Sequence, residues 1–454
     1  MFRKVLVANR GEIALRVIRA CRELGVEAAV ACSEADREAP WVAEADSAVC
    51  VGPARADSSY LDASAILQAA EQEECQAIHP GYGFLAENAL FAARCEQQGI
   101  SFIGPPAHAI RRMGDKAEAK RTMASAGLPT IPGSEGVLTD SRQALELAAE
   151  IGYPVLLKAS AGGGGKGMRR CDSEREMERS FTQASLEAEK AFGNSAIYLE
   201  KFLSGGRHVE FQVLCDAFGN GIHLGERECS IQRKHQKLFE EAPSPVVSED
   251  VRKNLGESVA RAAAHFGYRN AGTVEFLRDE QGSFYFMEMN TRLQVEHPVT
   301  EMITGADLVA EQLRIAANRP LGLRQDEIAF NGQAMEFRIN AEDPDQGFKP
   351  DPGLISGFSP PSVEEKGVSV RWDSAVRSGY RIPPHYDSLV GKLIVHGPDR
   401  AAVLRGAAQA LKSLVIDGVR TTIPFHLRLL ANDDFRDGRY DVNFLERSGL
   451  GTRA

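Results

Sequence analysis

Met287-Glu288-Met289-Asn290-Thr291-Arg292-Leu293-Gln294-Val295-Glu296-His297-Pro298 alternates side chains that carry chemistry with side chains that do not. Polar groups recur at 288, 290, 292, 294 and 296, the period of a β-strand, so a strand here turns all five to one face. Pro298 has no N–H and ends the ladder on this reading. A solvated face has no need of Asn and Gln between two carboxylates and an Arg, and a buried face could not hold them unpaired. The spacing predicts a strand with a functional face.

Just upstream, residues 272–277 (Gly-Thr-Val-Glu-Phe-Leu) read as a second strand, joined to the first as a hairpin across 278–283. That pairing brings Glu275 within reach of Glu288 and Asn290. Two carboxylates and a carboxamide on paired strands suit Mg²⁺, a hard ion that takes few protein oxygens and completes its shell with phosphate and water. A partner for such a site lies earlier, where the strand 155–159 runs into Ala161-Gly162-Gly163-Gly164-Gly165-Lys166-Gly167. Amides without neighbouring Cβ atoms can converge on an anion, and the loop can act as a flap over phosphates. It is not a Walker A loop, because Ser160 and Gly167 stand where that motif needs a Gly and a hydroxyl.

At the N-terminus, a strand over 5–8, a helix over 13–24 and a strand over 27–32 make a doubly wound βαβ start. Its turn, 9–12, carries one Gly instead of G-x-G-x-x-G, so it reads as architecture. The loop 79–88 carries His, Tyr and Glu among turn residues, with His79 read as a structural tie. Residues 207–214 and 222–225 predict a hairpin or meander. The charged, mixed-sign run 226–237 reads equally as a solvated face or as part of a site. Helices are expected over 249–266, 308–317 and 400–414.

A chain of 454 residues accommodates two to four domains. The formal charge is −10 with both signs interspersed, which argues against a nucleic-acid partner. Eight cysteines without a C-x-x-C pair fit reduced structural thiols and disfavour zinc. No apolar run approaches the ~20 residues of a membrane span, and the N-terminus enters a strand too soon for a secretory signal. A soluble cytoplasmic protein, without membrane or nucleic acid, is expected.

The ordered set Ala8-Asn9-Arg10-Gly11-Glu12-Ile13-Ala14, His79-Pro80-Gly81-Tyr82-Gly83-Phe84-Leu85, Met113-Gly114-Asp115-Lys116, 288–298, Arg338-Ile339-Asn340-Ala341-Glu342-Asp343-Pro344 and Tyr386-Asp387-Ser388 resembles the biotin carboxylase component of biotin-dependent carboxylases, within the ATP-grasp superfamily. The resemblance covers almost the whole chain. It implies mixed α/β and α+β architecture: an N-terminal Rossmann-like domain (1–114), an ATP-grasp domain (115–330) with a mobile lid over about 131–203, and a C-terminal α+β domain (331–447). The implied activity is carboxylation of biotin N1′ with ATP and bicarbonate through carboxyphosphate, the first half-reaction of an acyl-CoA carboxylase. Another ATP-grasp ligase, or a nucleotide-binding subunit without turnover, stands as the alternative.

By that likeness Lys116, Lys158 and the loop Gly162, Gly163, Gly164 and Gly165 would meet ATP phosphates. Glu200, Lys201 and Leu203 would line the adenine pocket through main-chain groups, with Leu277 beside them and His208, Gln232 and His235 on the nucleoside. Glu275, Glu288 and Asn290 would carry two Mg²⁺, or Mn²⁺ in their place. Lys237, Arg292, Gln294 and the main chain of Val295 would hold bicarbonate, Glu296 would be its general base, and Arg338, with Tyr82 nearby, would stabilise the biotin enolate. Family members usually carry a fifth Gly at Ala161, and 362–366 is more polar than expected near a dimer surface, although Arg19 and Glu23 are kept. A homodimer is expected. With no Met-Lys-Met motif in the chain, the expected partners are a separate biotin carboxyl carrier protein and a carboxyltransferase subunit.

Overall fold

Val5, Leu6 and Val7 are apolar without alternation because Lys4–Val7 is the central strand of a parallel sheet covered on both faces. The order across that five-stranded sheet is Ser47–Cys50, Glu27–Cys32, Lys4–Val7, Ala77–His79, Ser101–Phe102. This is the doubly wound layer expected from the βαβ start. The computed structural model describes residues 1–160, 168–203 and 205–451. The turn expected at 9–12 is shorter than predicted, because the helix Gly11–Glu23 already begins at Gly11. Asn9 is free to fold back, and its Nδ2 donates to Pro80 O at 2.6 Å and Tyr82 O at 2.8 Å. Gly81 makes that approach possible: its φ is +62°, and a Cβ there would stand 2.8 Å from Asn9 Nδ2.

A three-stranded antiparallel sheet, Met168–Cys171, Val155–Ala159 and Ile197–Lys201, forms a small layer with the helices Ser141–Ile151 and Glu174–Phe192. It has its own core around Ala144, Leu157, Met177 and Leu199. The predicted flap glycines 162–165 lie outside the described residues.

The largest sheet is antiparallel throughout and eight-stranded, in the order Phe284–Asn290, Asn270–Arg278, Arg207–Cys215, Gly221–Arg233, Gln236–Ala242, Gln333–Asn340, Leu389–Gly397, Ser369–Ser374. Pairing of Glu240 with Glu336 carries it without a break into the C-terminal segment, which places Arg338 in one layer with Lys237 and Glu275.

The expected strand through residue 296 is half right. The ladder ends at Asn290, residues 291–296 turn, and the helix His297–Thr304 follows with Pro298 in its first turn. The cause is local. Thr291 gives its N–H to Glu87 Oε1 at 2.9 Å instead of to a strand partner, and Pro at a helix start loses no hydrogen bond that the helix could have made. The charge-rich run is no solvated face in its first half, since 226–230 is buried inside the strand Gly221–Arg233.

Candidate active site

The hairpin read from the sequence sets Glu275 opposite Glu288, while the other neighbouring strand sets it opposite Glu210. Glu210 in turn faces Arg227. Side chains in cross-strand register share a face, so one row across four strands reads Glu288, Glu275, Glu210, Arg227. Arg227 is fully buried and saturated, with Nε to Glu210 Oε1 at 2.6 Å and further bonds to Gln212, Thr273 and Thr300. It anchors the row from below.

Lys237, near the start of the adjoining strand, reaches over this row. Its Nζ lies 2.5 Å from Glu210 Oε2, 3.2 Å from Glu275 Oε1 and 2.6 Å from Glu296 Oε1. Burial works against its charge, but the three carboxylates outweigh it and hold the ammonium protonated well above the usual lysine range. Arg338 meets the other oxygen of Glu296, Nη2 to Oε2 at 2.9 Å, and Glu240 through Nε at 2.7 Å. Burial alone would raise the Glu296 carboxyl; Lys237, Arg338 and Arg227 together hold it well below its ordinary value. Glu240 keeps the effect of burial and is pushed up to about 7 despite Arg338.

The turn 291–296 folds Arg292 and Gln294 against this cluster. Arg292 donates through Nε to Glu87 Oε2 at 3.0 Å, through Nη1 to Gln294 Oε1 at 2.9 Å and through Nη2 to Asn290 Oδ1 at 3.2 Å. Gln294 Nε2 donates to Glu275 Oε1 at 3.1 Å. Lys237, Arg292, Gln294, Glu296 and Arg338 are thus brought together by three elements distant in the chain. Three cations around fixed donors can bind a small planar anion beside a carboxylate base.

At the Glu288 end of the row, Lys116 opens the helix Lys116–Ser125 and lies 3.3 Å from Glu288 Oε2. The two border a cavity of about 190 Å³ together with Glu87, Asn290 and Met289. Lys158 Nζ lies 2.5 Å from Glu200 Oε2, and Lys120 Nζ lies 3.1 Å from the other oxygen. Glu200, expected to act through its main chain, therefore also has a buried side chain that clamps two lysines. Lys201 is committed elsewhere, with its amide on Pro132 O and its Nζ on Gly152 O and Tyr153 O. Leu203 and Leu277 are half-buried. His208 Nε2 lies 2.8 Å from Glu275 Oε2, and its Nδ1 is 2.6 Å from Gln232 Nε2. Burial lowers the imidazole's proton affinity, but Glu275 more than restores it, so His208 is raised. His235 sits apart, exposed at a hairpin tip where it and Lys234 have positive φ.

Glu275, Glu288 and Asn290 fit Mg²⁺ by donor chemistry. All are hard oxygens on two paired strands, Asn290 Nδ2 is 2.7 Å from Glu275 Oε1, and Lys237 and His208 hold the Glu275 carboxyl ionised against its burial. Tyr82 donates its hydroxyl to Glu12 beside Asp387 and Arg10 in a second, smaller cavity. His79 is a structural tie, as read: it is buried, and its Nδ1 accepts from Gly81 N–H at 3.0 Å.

Residues 1–110 match the family described as biotin carboxylase, N-terminal domain, and 336–447 match the biotin carboxylase C-terminal domain. Between them 115–324 match the carbamoyl-phosphate synthase L chain ATP binding domain. A biotin carboxylase of Nostoc sp. is 54% identical over 445 residues, covering 98% of this chain and 99% of that protein. The chain belongs to the biotin carboxylase family. Biotin carboxylase 1 of Bacillus subtilis is 51% identical, with 98% of each chain covered. Among solved structures, the biotin carboxylase domain dimer of Hydrogenobacter thermophilus 2-oxoglutarate carboxylase, in complex with MgADP, ADP and bicarbonate, superposes with a TM-score of 0.93 at 50% identity, covering 100% of this chain and 99% of that one. A Campylobacter jejuni biotin carboxylase–β,γ-ATP complex gives 0.94 at 46% identity, covering 98% and 99%.

The sequence reading missed Glu210, Arg227, Glu240, Lys120 and Glu87. Glu210 and Arg227 lay in segments noticed for alternation or charge, but only register shows that they meet. Glu240 carried a weak signal, a carboxylate pair at 240–241 in a strand.

Proposed function

We propose that the protein is an ADP-forming ligase that carboxylates biotin at N1′ with ATP and bicarbonate. One observation carries this: Glu296 is gripped on its two oxygens by Lys237 and Arg338, beside Arg292 and Gln294, on the sheet face whose row of carboxylates leads through Glu275 to Glu288 and Lys116. Bicarbonate competes with Glu296 for those cations. Each cation drawn to it lets the proton affinity of the carboxylate recover, so the base strengthens as its substrate arrives. The Glu296 oxygen then takes the bicarbonate proton, and the carbonate oxygen attacks the γ-phosphorus while the bond to ADP breaks.

Carboxyphosphate so formed breaks to CO₂ and phosphate. The phosphate takes the N1′ proton, Arg338 stabilises the enolate oxygen, and N1′ bonds to CO₂. Lys116 and Lys158 hold phosphates, with Glu200 keeping Lys158 and Lys120 in place. Glu275, Glu288 and Asn290 would hold Mg²⁺, which would supply positive charge to neutralise the phosphates. Nucleoside contacts fall to Glu200, Lys201, Leu203, His208, Gln232, His235 and Leu277, and phosphate closure to 162–165.

Boundaries at 114 and 330 divide the chain, supported by the family matches. The biotin acted on is carried by a separate carrier protein, and a carboxyltransferase uses the product. A homodimer is supported by Arg19 and Glu23 bordering a charged cavity with Arg16, Glu301 and Arg371, and by the dimer of the relative. Among the described residues no helix is long and apolar enough to cross a membrane, and the eight free, mostly buried thiols support a cytoplasmic setting. ADP formation measured with and without bicarbonate and free biotin tests the activity. Dependence on both is expected, and cleavage indifferent to both refutes it.

A further inference from the structure

Behind the bicarbonate turn, two buried side chains outside the set already described take consecutive backbone carbonyls. Lys392 Nζ donates to Val295 O at 2.9 Å, and His297 Nδ1 lies 2.9 Å from Gln294 O. A carbonyl can only accept, so that ring nitrogen carries the hydrogen. Both residues are 0% exposed. Neither is a cheap occupant of its place: a buried ammonium needs compensating charge, and among the described residues the other ring nitrogen of His297 has no partner. Burial, together with Lys392, Arg16 and Arg371, holds the His297 ring neutral.

Lys392 is compensated from two sides. Glu12 Oε1 is 3.2 Å away and Asp373 Oδ2 4.0 Å, and in the sheet Lys392 stands in register between Arg338 and Asp373. Glu12 also takes the Tyr82 hydroxyl, so the ammonium that holds the turn is tied to the wall carrying Tyr82.

The consequence lies in the peptide planes. Both peptides are trans, so fixing a carbonyl on one side turns the N–H of the next residue to the other. Tying Gln294 O thus directs the Val295 N–H, and tying Val295 O directs the Glu296 N–H. Among the described residues neither N–H has an acceptor in the protein. Two successive unpaired amides beside Arg292 and Lys237 are donors of the kind that can converge on an anion.

We propose that Lys392 and His297 are positioning residues for the bicarbonate site, clamping the Val295 and Gln294 carbonyls so that the Glu296 and Val295 N–H groups face the anion. This rests on the proposed function. The clamp acts on the anion site and not on nucleotide, since neither residue touches the groups assigned to nucleotide.

The test uses the full chain and steady-state ADP formation with bicarbonate varied, alongside MgADP binding by calorimetry. Lys392→Met is made with Glu12→Gln to keep the charge balance, against Glu12→Gln alone as reference. His297→Phe is compared with His297→Gln, which keeps a donor. The bicarbonate KM should rise about tenfold in Lys392→Met and His297→Phe and return to within threefold in His297→Gln, with MgADP affinity within twofold throughout. An unchanged bicarbonate KM in either deleted variant overturns the inference. So does loss of MgADP binding in both, because the clamp would then support the fold at large. Parent protein whose ADP formation ignores bicarbonate would instead sink the activity itself.

Discussion

Glu296→Gln separates chemistry from binding at this site. The carboxylate holds Lys237 at 2.6 Å and Arg338 at 2.9 Å and is completely buried. Removing one partner of a buried ion pair commonly costs about 3–5 kcal/mol when it strands the other. Here it does not strand them, because Lys237 keeps Glu210 and Glu275 and Arg338 keeps Glu240. The amide oxygen of Gln still accepts from one cation, so the loss in folding stability should be nearer ~1–2 kcal/mol. The catalytic loss is larger. A positioned general base contributes roughly 10²–10⁴ in rate, equivalent to about 3–5 kcal/mol at the transition state. Glu296 touches none of Lys116, Lys158, Lys120 or Glu200, so nucleotide affinity should stay within about threefold. Turnover by coupled ADP release and MgADP affinity by calorimetry, on the same preparation, read both numbers. Turnover within tenfold of the parent, or a tenfold loss of MgADP affinity, would refute the assignment.

Arg292→Lys keeps the charge but loses the fork that spans Glu87, Gln294 and Asn290. The bicarbonate KM should rise about tenfold or more, and a KM within twofold in the same assay contradicts planar recognition. Glu275→Gln removes one charge from the proposed metal set, so the Mg²⁺ concentration for half-maximal activity at fixed ATP should rise about fivefold, while an unchanged Mg²⁺ titration removes Glu275 from that set. His426 is buried against Arg338 O, and burial pushes its imidazole down to about 4. A folded value below the ordinary 6.5 means the unfolded chain protonates first, so the stability of the neutral form is present above 6.5 and lost as pH falls toward 4. His426→Gln should therefore lose less stability than the parent between pH 7 and 5, by up to about 2 kcal/mol. Urea midpoints that fall equally in both proteins contradict this.

The N-terminal parallel sheet, the hairpin that pairs Glu275 with Glu288 and the antiparallel run around 207–233 were legible because each follows from local periodicity and turn residues. The apolar run 5–7, the pairing across 278–283 and the hairpin or meander of 207–214 with 222–225 need no distant partner to be read. Residues 288–296 mark the limit of that reading. Their two-residue period holds as far as Asn290, but period alone predicts a strand wherever it occurs. Glu87, some two hundred positions earlier, takes the Thr291 N–H and ends the ladder. Only then do Arg292, Gln294 and Glu296 leave the strand and gather around Lys237 and Arg338. Charge shows the same division. The kinds of ionisable side chain are written in the sequence, whereas their protonation depends on burial and on neighbours supplied by other strands. Glu296 is held ionised and Glu240 pushed toward neutrality although both meet Nη2 of the same guanidinium. Local chemistry along the chain determined which groups were present, and the eight-stranded sheet decided which of them meet, because cross-strand register relates residues that sequence separation does not.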